Sequence, residues 1–487
     1  MKTALMVWGA SSGAGKSLLA TALCRWAARA GLEVAPFKAQ NMSNNARVVP
    51  GLDGEPAEIG AAQYFQALAA RVPPHADLNP VLLKPERDTA SQVLLHGRVD
   101  AALARVPWCE RSAVLAAAAR ASFERLAARH RLLVIEGAGS PAEINLAPHD
   151  YVNLDAARWA RAHGRLRALL VADIDRGGAF AHLHGTWALL PDDLRPALAG
   201  FVLNKFRGDA ALLAPGPQQL QALTGVPVTG VLPLQRDHGL PDEDGSYLPP
   251  PPRAGALRIA VVAAPHLSNL DEFQPLAAVA QLRWARSAAE LEAADWIVLP
   301  GSKQTGADLA WLHAQGLVAP ILQHAHAGRP LLGICGGLQL LGRWRSDPDG
   351  ADGAAHAPQP GLDLLPLATR YARPKRLRAA PVRFAAPAAP WSALAGLVLP
   401  AYEIRHGRSE AVDATASPVL FAADGEPIGW QAGSVLGIAA HGLFEDARVL
   451  RALFGRSART LDDCFDGLAD LIDEHLGAPT LRALLDA

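Results

Sequence analysis

Near the N-terminus, Gly9-Ala10-Ser11-Ser12-Gly13-Ala14-Gly15-Lys16-Ser17 follows a short apolar run and precedes a helical pattern from Leu18 to Ala30. Small residues let backbone N–H groups curl around phosphates at a helix N-terminus, where the dipole also favours anions. In that reading Gly9, Ser12, Gly13 and Gly15 shape the cradle, Lys16 reaches the outer phosphates, and the Ser17 hydroxyl ligates Mg²⁺. The spacing departs from the usual phosphate loop. Ala10 stands at the first glycine's position, and Gly9 lies one residue earlier. A glycine–serine turn that merely caps a helix is the alternative; the strand–loop–helix context is what the phosphate reading requires.

A carboxylate belongs beside such a loop. Glu136, in Leu133-Val134-Ile135-Glu136-Gly137-Ala138-Gly139, ends an apolar run, and a strand-end carboxylate points into the crevice of a parallel sheet. Glu136 is therefore the expected magnesium group, with Ser17. Asp173 and Asp175 end the next such run in Val171-Ala172-Asp173-Ile174-Asp175, where either could be only a helix N-cap, Asp175 as readily as not.

A second chemistry is written further on. Pro330-Leu331-Leu332-Gly333-Ile334-Cys335-Gly336-Gly337-Leu338-Gln339 has the strand, sharp turn and helix of a nucleophile elbow. A thiol at a helix N-terminus is activated by the dipole. Cys24, Cys109 and Cys464 lie in helical contexts, so Cys335 alone has nucleophile spacing. A thiol needs a base, and His441 in Ala439-Ala440-His441-Gly442 ends a buried-looking strand about a hundred residues later. His163, His182, His313, His324 and His356 fall in helices or loops. His406, in Tyr402-Glu403-Ile404-Arg405-His406-Gly407-Arg408, competes for the base role, and the purpose of Glu403 is open.

These groups need a scaffold. Apolar runs at Leu5–Trp8, Val34–Phe37, Leu132–Glu136, Leu169–Asp173, Phe201–Asn204 and Val226–Leu232 alternate with helical stretches, the pattern of βαβ units. A proline run, Pro249 to Pro252, suits an extended spacer. The pattern then restarts at Leu257–Ala263, Trp296–Leu299, Leu331–Ile334 and Val435–Ala440. The expected fold is α/β, with two doubly wound parallel-sheet domains at 1–245 and 256–445. A linker at 246–255 joins them, and helices at 446–487 close the chain. The stretch 346–361 reads as an exposed loop.

Composition excludes several classes. With 46 basic and 47 acidic residues, the 487-residue chain is near neutral, which argues against a nucleic-acid groove or polybasic membrane surface as its main feature. No apolar run approaches the roughly 18–20 residues of a membrane helix. Four scattered cysteines give neither a disulfide framework nor metal-ligand spacing, so a reducing cytoplasm is the expected compartment. Only seven of the basic residues are lysines, and five of these (Lys16, Lys38, Lys84, Lys205 and Lys303) sit in motif-like strings. An arginine-rich chain that keeps lysine there points to a need for a compact ammonium.

The early-glycine loop resembles that of the dethiobiotin synthetase and cobyrinate amidase group. More narrowly, five strings look like the cobyric acid synthase family. They are Pro36-Phe37-Lys38-Ala39-Gln40-Asn41-Met42, Asn79-Pro80-Val81-Leu82-Leu83-Lys84-Pro85, Ile135 through Leu146, Asp173-Ile174-Asp175-Arg176-Gly177-Gly178 and Asn204-Lys205-Phe206-Arg207-Gly208-Asp209. The second half is similar to class I glutamine amidotransferase domains, and the resemblance spans nearly the whole chain. It implies that Lys38 lies near the transferred phosphate or the substrate carboxylate; a strand-end lysine in solvent is the other reading. It also implies that the loop Leu299-Pro300-Gly301-Ser302-Lys303 forms an oxyanion hole, with backbone N–H groups near Gly301 and Gly336 as donors. The triad pattern's glutamate, two residues after the histidine, is here Leu443. Glu445 lies too far on to replace it simply, so a Cys–His dyad oriented from elsewhere is expected.

The resemblance implies ATP- and glutamine-dependent amidation of the b, d, e and g carboxylates of adenosylcobyrinic acid a,c-diamide, giving adenosylcobyric acid. ATP, Mg²⁺, L-glutamine and the corrinoid are the implied ligands, with no tightly bound metal or prosthetic group. An a,c-diamide synthase would carry a Gly-Pro-Asp-Tyr type string where this chain has Ala39-Gln40-Asn41-Met42. A partition-type regulatory ATPase would need no Cys335 elbow. A corrinoid-binding protein would need no phosphate loop.

Overall fold

A computed structural model describes residues 2–87, 90–235, 238–240 and 256–485. The chain divides into two compact units. One comprises Met1–Ser43, Val49–Leu240 and Leu461–Ala487; the other comprises Asn44–Val48 and Pro241–Thr460. The expected linker at 246–255 lies outside the described residues. Among the described residues no helix is long and apolar enough to cross a membrane.

The first unit centres on six parallel strands: β1 (Thr3–Gly9), β2 (Val34–Phe37), β3 (Leu132–Glu136), β4 (Arg165–Asp173), β5 (Leu198–Phe206) and β6 (Val228–Pro233). Their order is β6-β5-β4-β1-β3-β2. Every residue of β1 is buried, because a parallel strand covered on both faces must be apolar throughout. In register, Val7 pairs with Glu136, which brings the C-terminal ends of β1 and β3 to one edge. All six sequence-predicted strands are present. A smaller four-stranded sheet (Gln40–Met42, Val81–Arg87, Ala90–Leu95 and Arg98–Val99) was not predicted; its apolar stretches, at 81–83 and 93–95, are brief and flanked by polar residues.

Helices close the chain, and they divide between the two units. Ala447–Phe454 stays with the second unit, whereas Leu461–Leu476 and Ala478–Leu485 pack in the first. Phe465, Leu468, Ile472, Leu476, Leu481 and Leu484 bury an apolar face in the core beside the helix Lys16–Arg29, and charge pairs line that contact. Buried Arg25 meets Asp466 at 2.8 Å and Asp462 at 2.9 Å, and Arg29 meets Asp470 at 2.6 Å. Trp26 Nε1 donates to Asp473 at 2.9 Å.

The second unit has a parallel core of β7 (Arg258–Val262), β8 (Gln281–Ala285), β9 (Trp296–Leu299), β10 (Leu331–Ile334) and β15 (Val435–Ile438), ordered β8-β7-β9-β10-β15. Antiparallel strands extend it: β14 (Pro427–Ala432), β13 (Ser417–Ala422) and the long hairpin of β11 (Leu365–Phe384) with β12 (Val398–Ala411). The loop expected at 346–361 is partly strand. Gly342–Asp347 and His356–Pro360 pair antiparallel across it. Asp347 ties the turn by accepting from the Ala351 and Asp352 amides at 2.7 and 2.8 Å.

Candidate active sites

The phosphate loop leaves β1 at Gly9 and turns through Gly13 (φ 69°) and Gly15 (φ 104°) into the helix Lys16–Arg29. Gly15 has a second constraint: a Cβ there would lie 1.9 Å from Asn204 Nδ2, which donates to the Ala14 carbonyl at 2.9 Å. Lys16 folds back over the loop, donating to the carbonyls of Ser11 at 3.0 Å and Gly139 at 3.1 Å. A Cβ at Gly9 would fall 2.8 Å from that ammonium. The Ser11 carbonyl oxygen, 2.9 Å from the same position, is the backbone neighbour that keeps this residue a glycine, while the Ala10 methyl packs against the apolar core. Ser12 is exposed at the loop's tip.

Glu136 ends β3 fully buried and gathers the predicted partners. Ser17 Oγ donates to Glu136 Oε1 at 2.8 Å, and Lys38 Nζ meets the same oxygen at 2.7 Å. Gln66 and Gln63 donate to Oε2. Burial pushes the Glu136 carboxyl up, but the Lys38 ammonium and the hydrogen bonds from Lys38, Gln66 and Ser17 outweigh it and hold the group below its ordinary range. Lys38 is itself buried, so the solvent reading of that lysine fails. Ser17 and Glu136 present two oxygen donors, the chemistry a hard divalent cation takes. Among the described residues no cluster of three or more His, Cys, Asp or Glu offers a fuller cage.

Asp173 accepts from the Asp175 amide at 3.0 Å and pairs with Lys205 at 3.1 Å; Lys205 also donates to the Gly13 carbonyl at 2.8 Å. Asp175 is not a helix N-cap. Its carboxylate pairs with Arg207, and the helix Ala179–Leu189 starts from Gly178 without a side-chain cap.

In the second unit Cys335 sits between β10 and the helix Gly336–Leu341 at φ 51°, ψ −101°, a strained conformation for a residue with a Cβ. Its glycine neighbours are packing requirements. A Cβ at Gly337 would lie 1.9 Å from the Leu299 carbonyl oxygen, and one at Gly336 would lie 2.5 Å from the Ser302 amide. The Gly301–Ser302 strand therefore abuts the elbow. It pairs antiparallel with Leu267–Ser268. Ser302 Oγ donates to buried Asp308 at 2.6 Å, and His266 meets the same carboxylate at 2.8 Å. A Cβ at Gly301 would lie 3.0 Å from His441 Cε1, so the histidine ring closes this loop from the other side.

His441 is buried and its Nδ1 donates to Glu272 Oε1 at 2.8 Å, while the Gly442 amide donates to Glu272 Oε2 at 3.0 Å. A carboxylate only accepts, so Nδ1 carries a proton and Nε2 is left for chemistry. Burial alone pulls the imidazolium down; the Glu272 charge and the neighbouring Cys335 thiol outweigh it, and His441 is pushed up to about 10. The stability this pair supplies is complete below the free-histidine pKa of about 6.5. It is lost as pH rises through about 10.

Glu272 is the residue that sequence reading missed. It lies in the short helix Leu270–Phe273, and the vacancy of a carboxylate at Leu443 was the one signal that something must replace it. The competing assignments resolve differently. His406 Nδ1 donates to the Ala372 carbonyl at 3.2 Å. Glu403 is buried between Arg378 and Arg405, each guanidinium Nε donating at 2.6 Å. That string instead contributes the Ile404 carbonyl, 3.7 Å from Cys335 Sγ.

Comparison with known proteins adds to this geometry. Residues 5–246 match the family model described as the CobQ/CobB/MinD/ParA nucleotide binding domain. Residues 258–449 match that of the CobB/CobQ-like glutamine amidotransferase domain. A cobyric acid synthase of Leptothrix cholodnii is 59% identical over 99% of this chain and 97% of its own. One from Methylibium petroleiphilum is 59% identical over 99% and 96%, and one from Variovorax paradoxus 56% over 99% and 99%.

Proposed function

The chain belongs to the cobyric acid synthase family and is thus a glutamine-hydrolysing ligase of cobalamin biosynthesis; we propose that it amidates the b, d, e and g carboxylates of adenosylcobyrinic acid a,c-diamide in the cytoplasm, through acyl phosphates. The observation that carries this reading is the pairing, in one chain, of the Lys16–Ser17–Lys38–Glu136 phosphate crevice with the Cys335–His441–Glu272 cluster.

In the second unit Cys335 is the nucleophile and His441 the acid–base group. The thiolate attacks the side-chain carbonyl carbon of glutamine, and the amide N–H groups near Gly301 and Gly336 face the developing oxyanion. Protonation by His441 Nε2 lets ammonia leave and a glutamyl thioester form. Water, deprotonated by His441, attacks that thioester and releases glutamate. Glu272 keeps the imidazole in the tautomer this requires.

In the first unit a carboxylate is a poor electrophile until phosphorylated. A carboxylate oxygen of the corrinoid attacks the γ-phosphorus of ATP, ADP leaves, and ammonia then displaces inorganic phosphate from the acyl phosphate. Lys16 and the loop amides hold the phosphates, and Lys38 offers its ammonium to the transferred group or the substrate carboxylate. Ser17 and Glu136 would hold Mg²⁺, which neutralises phosphate charge when bound.

Two tests follow. With Mg-ATP and amide-¹⁵N glutamine, mass spectrometry of the corrinoid should show successive ¹⁵N-amidation of adenosylcobyrinic acid a,c-diamide. Labelling of cobyrinic acid alone would move the enzyme to the a,c-diamide step, and no labelling of either despite ATP turnover would favour a regulatory ATPase. Separately, Glu272→Gln should reduce glutamine hydrolysis by about 10²–10⁴-fold by removing the carboxylate that fixes the base. The His441 titration, followed by NMR, should fall from about 10 in the same variant. An unmoved titration would separate Glu272 from the histidine's chemistry.

A further inference from the structure

The second unit includes five residues from far outside its own stretch of chain. The backbone leaves the first unit after Ser43, gives Asn44–Val48 to the second, and re-enters the first at Val49. This short strap is fastened by a reciprocal exchange: Asn45 Oδ1 accepts from the Leu270 amide at 3.0 Å, and the Ala46 amide donates to Asn269 Oδ1 at 3.1 Å. Its attachment point is therefore the turn that carries Glu272.

Arg47 is the strap's working side chain. It is buried, and its fork grips Glu445 with Nη2 at 2.6 Å and Nη1 at 3.0 Å, while Nη2 also pairs with Asp271. Its guanidinium carbon stands 4.7 Å from the Tyr402 ring centroid. Tyr402 in turn stacks on the His441 ring, with centroids 5.2 Å apart and planes 21° apart. Tyr402 and His441 also bond through their backbones, the His441 amide donating to the Tyr402 carbonyl at 2.8 Å. One cation thus bridges Asp271, the neighbour of the acid, Glu445, four residues past the base, and the ring that lies on the base.

Charge makes the arrangement more than packing. Asp271, Glu272 and Glu445 crowd together, and burial pushes the Asp271 carboxyl up, with Glu445 and Glu272 adding to the rise and Arg47 opposing it. Without Arg47 the carboxylates repel, that repulsion works against the turn that holds Glu272 at 2.8 Å from His441, and a planar bidentate clamp is lost that lysine cannot reproduce.

We propose that Arg47 is a positioning residue of the glutamine-hydrolysing site, lent to it by the ligase half of the sequence, so that the His441–Glu272 pair is assembled only when the strap is seated. The proposal rests on the reading of Cys335 and His441 given above. Arg47 follows Lys38 by nine positions in the chain. The same segment therefore supplies the ammonium of the phosphate crevice and the guanidinium of the glutaminase.

The test compares wild type, Arg47→Lys and Arg47→Met in the full chain, with steady-state glutamine hydrolysis and ammonium-driven amidation measured side by side. Arg47→Met should lower glutaminase kcat at least tenfold, the scale of a small misplacement of a catalytic pair, with KM for glutamine within about twofold. Arg47→Lys should recover part of that loss, and both variants should keep ammonium-driven amidation. Unchanged glutaminase in the two variants, or equal loss of both activities in soluble Arg47→Lys, would overturn the proposal. If Arg47→Met does not fold, Arg47→Lys and Glu445→Gln decide by the same readouts. Glutamine hydrolysis absent from wild type would instead overturn the underlying reading.

Discussion

Cys335→Ala is expected to lower glutamine-driven amidation by about 10³-fold or more while leaving amidation with ammonium salts within about twofold of wild type. The change is clean because alanine keeps the Cβ. The strained backbone at φ 51° costs the same in both proteins, and only the sulfur is removed. That sulfur contacts the Ile404 carbonyl at 3.7 Å, a weak interaction whose loss is small beside the stability of a domain this size. The phosphate crevice has its own partners: Lys16 donates to the Ser11 and Gly139 carbonyls, and Ser17 and Lys38 donate to Glu136. Cys24, though in the helix that follows the loop, is buried and its thiol is pushed far above the ordinary range, chiefly by burial and then by the Glu136 charge. It offers no substitute nucleophile. Equal loss with both nitrogen donors would sink the two-site design.

How far this was legible in the sequence depends on how local each signal is. The phosphate loop and the elbow were readable because strand, turn and helix are contiguous, although the atoms that close on Gly15, Gly336 and Gly337 come from Asn204, Ser302 and Leu299 elsewhere in the chain. Lys38 and Glu136 were each singled out, yet nothing in the sequence said that they pair with each other, since 98 positions separate them. The scarcity of lysine was a fair guide. Lys38 and Lys84 are both buried, paired with Glu136 and Glu58, where a compact ammonium fits. Glu272 was invisible because it precedes His441 by 169 positions and sits in an ordinary acidic turn.

Other misses share a cause. The hairpin of β11 and β12 is rich in arginine and alanine, and many of its outward residues are exposed, so no apolar run marks it. The strap Asn44–Val48 is too short to change composition, and membership in the second unit is set by contacts with the turn near Asn269. The C-terminal helices carried the right amphipathic pattern for helices. Their docking partner was undetermined, because acidic Asp462, Asp466 and Asp470 need basic partners that could have come from either half.

Lys16→Ala should abolish amidation with either nitrogen source, a fall of about 10³-fold or more, while glutamine hydrolysis at Cys335 continues. The asymmetry follows from where charge develops. Phosphoryl transfer leaves the protein little to do except position and neutralise, so losing the lysine that reaches the outer phosphates removes a main part of catalysis. Folding should survive. Lys16 donates to two backbone carbonyls, at Ser11 and Gly139, and each hydrogen bond contributes about 1 kcal/mol. Lys38→Ala is the poorer experiment, because it strands the buried Glu136 carboxylate without its cation, a defect worth about 3–5 kcal/mol of stability. In that variant loss of activity and loss of fold would coincide. Amidation by Lys16→Ala with ammonium at wild-type rates would remove Lys16 from the phosphate site, and with it the reading of the early-glycine loop. Retained glutamine hydrolysis beside absent amidation, with no ADP formed, would instead place the two chemistries on separate residues of one chain.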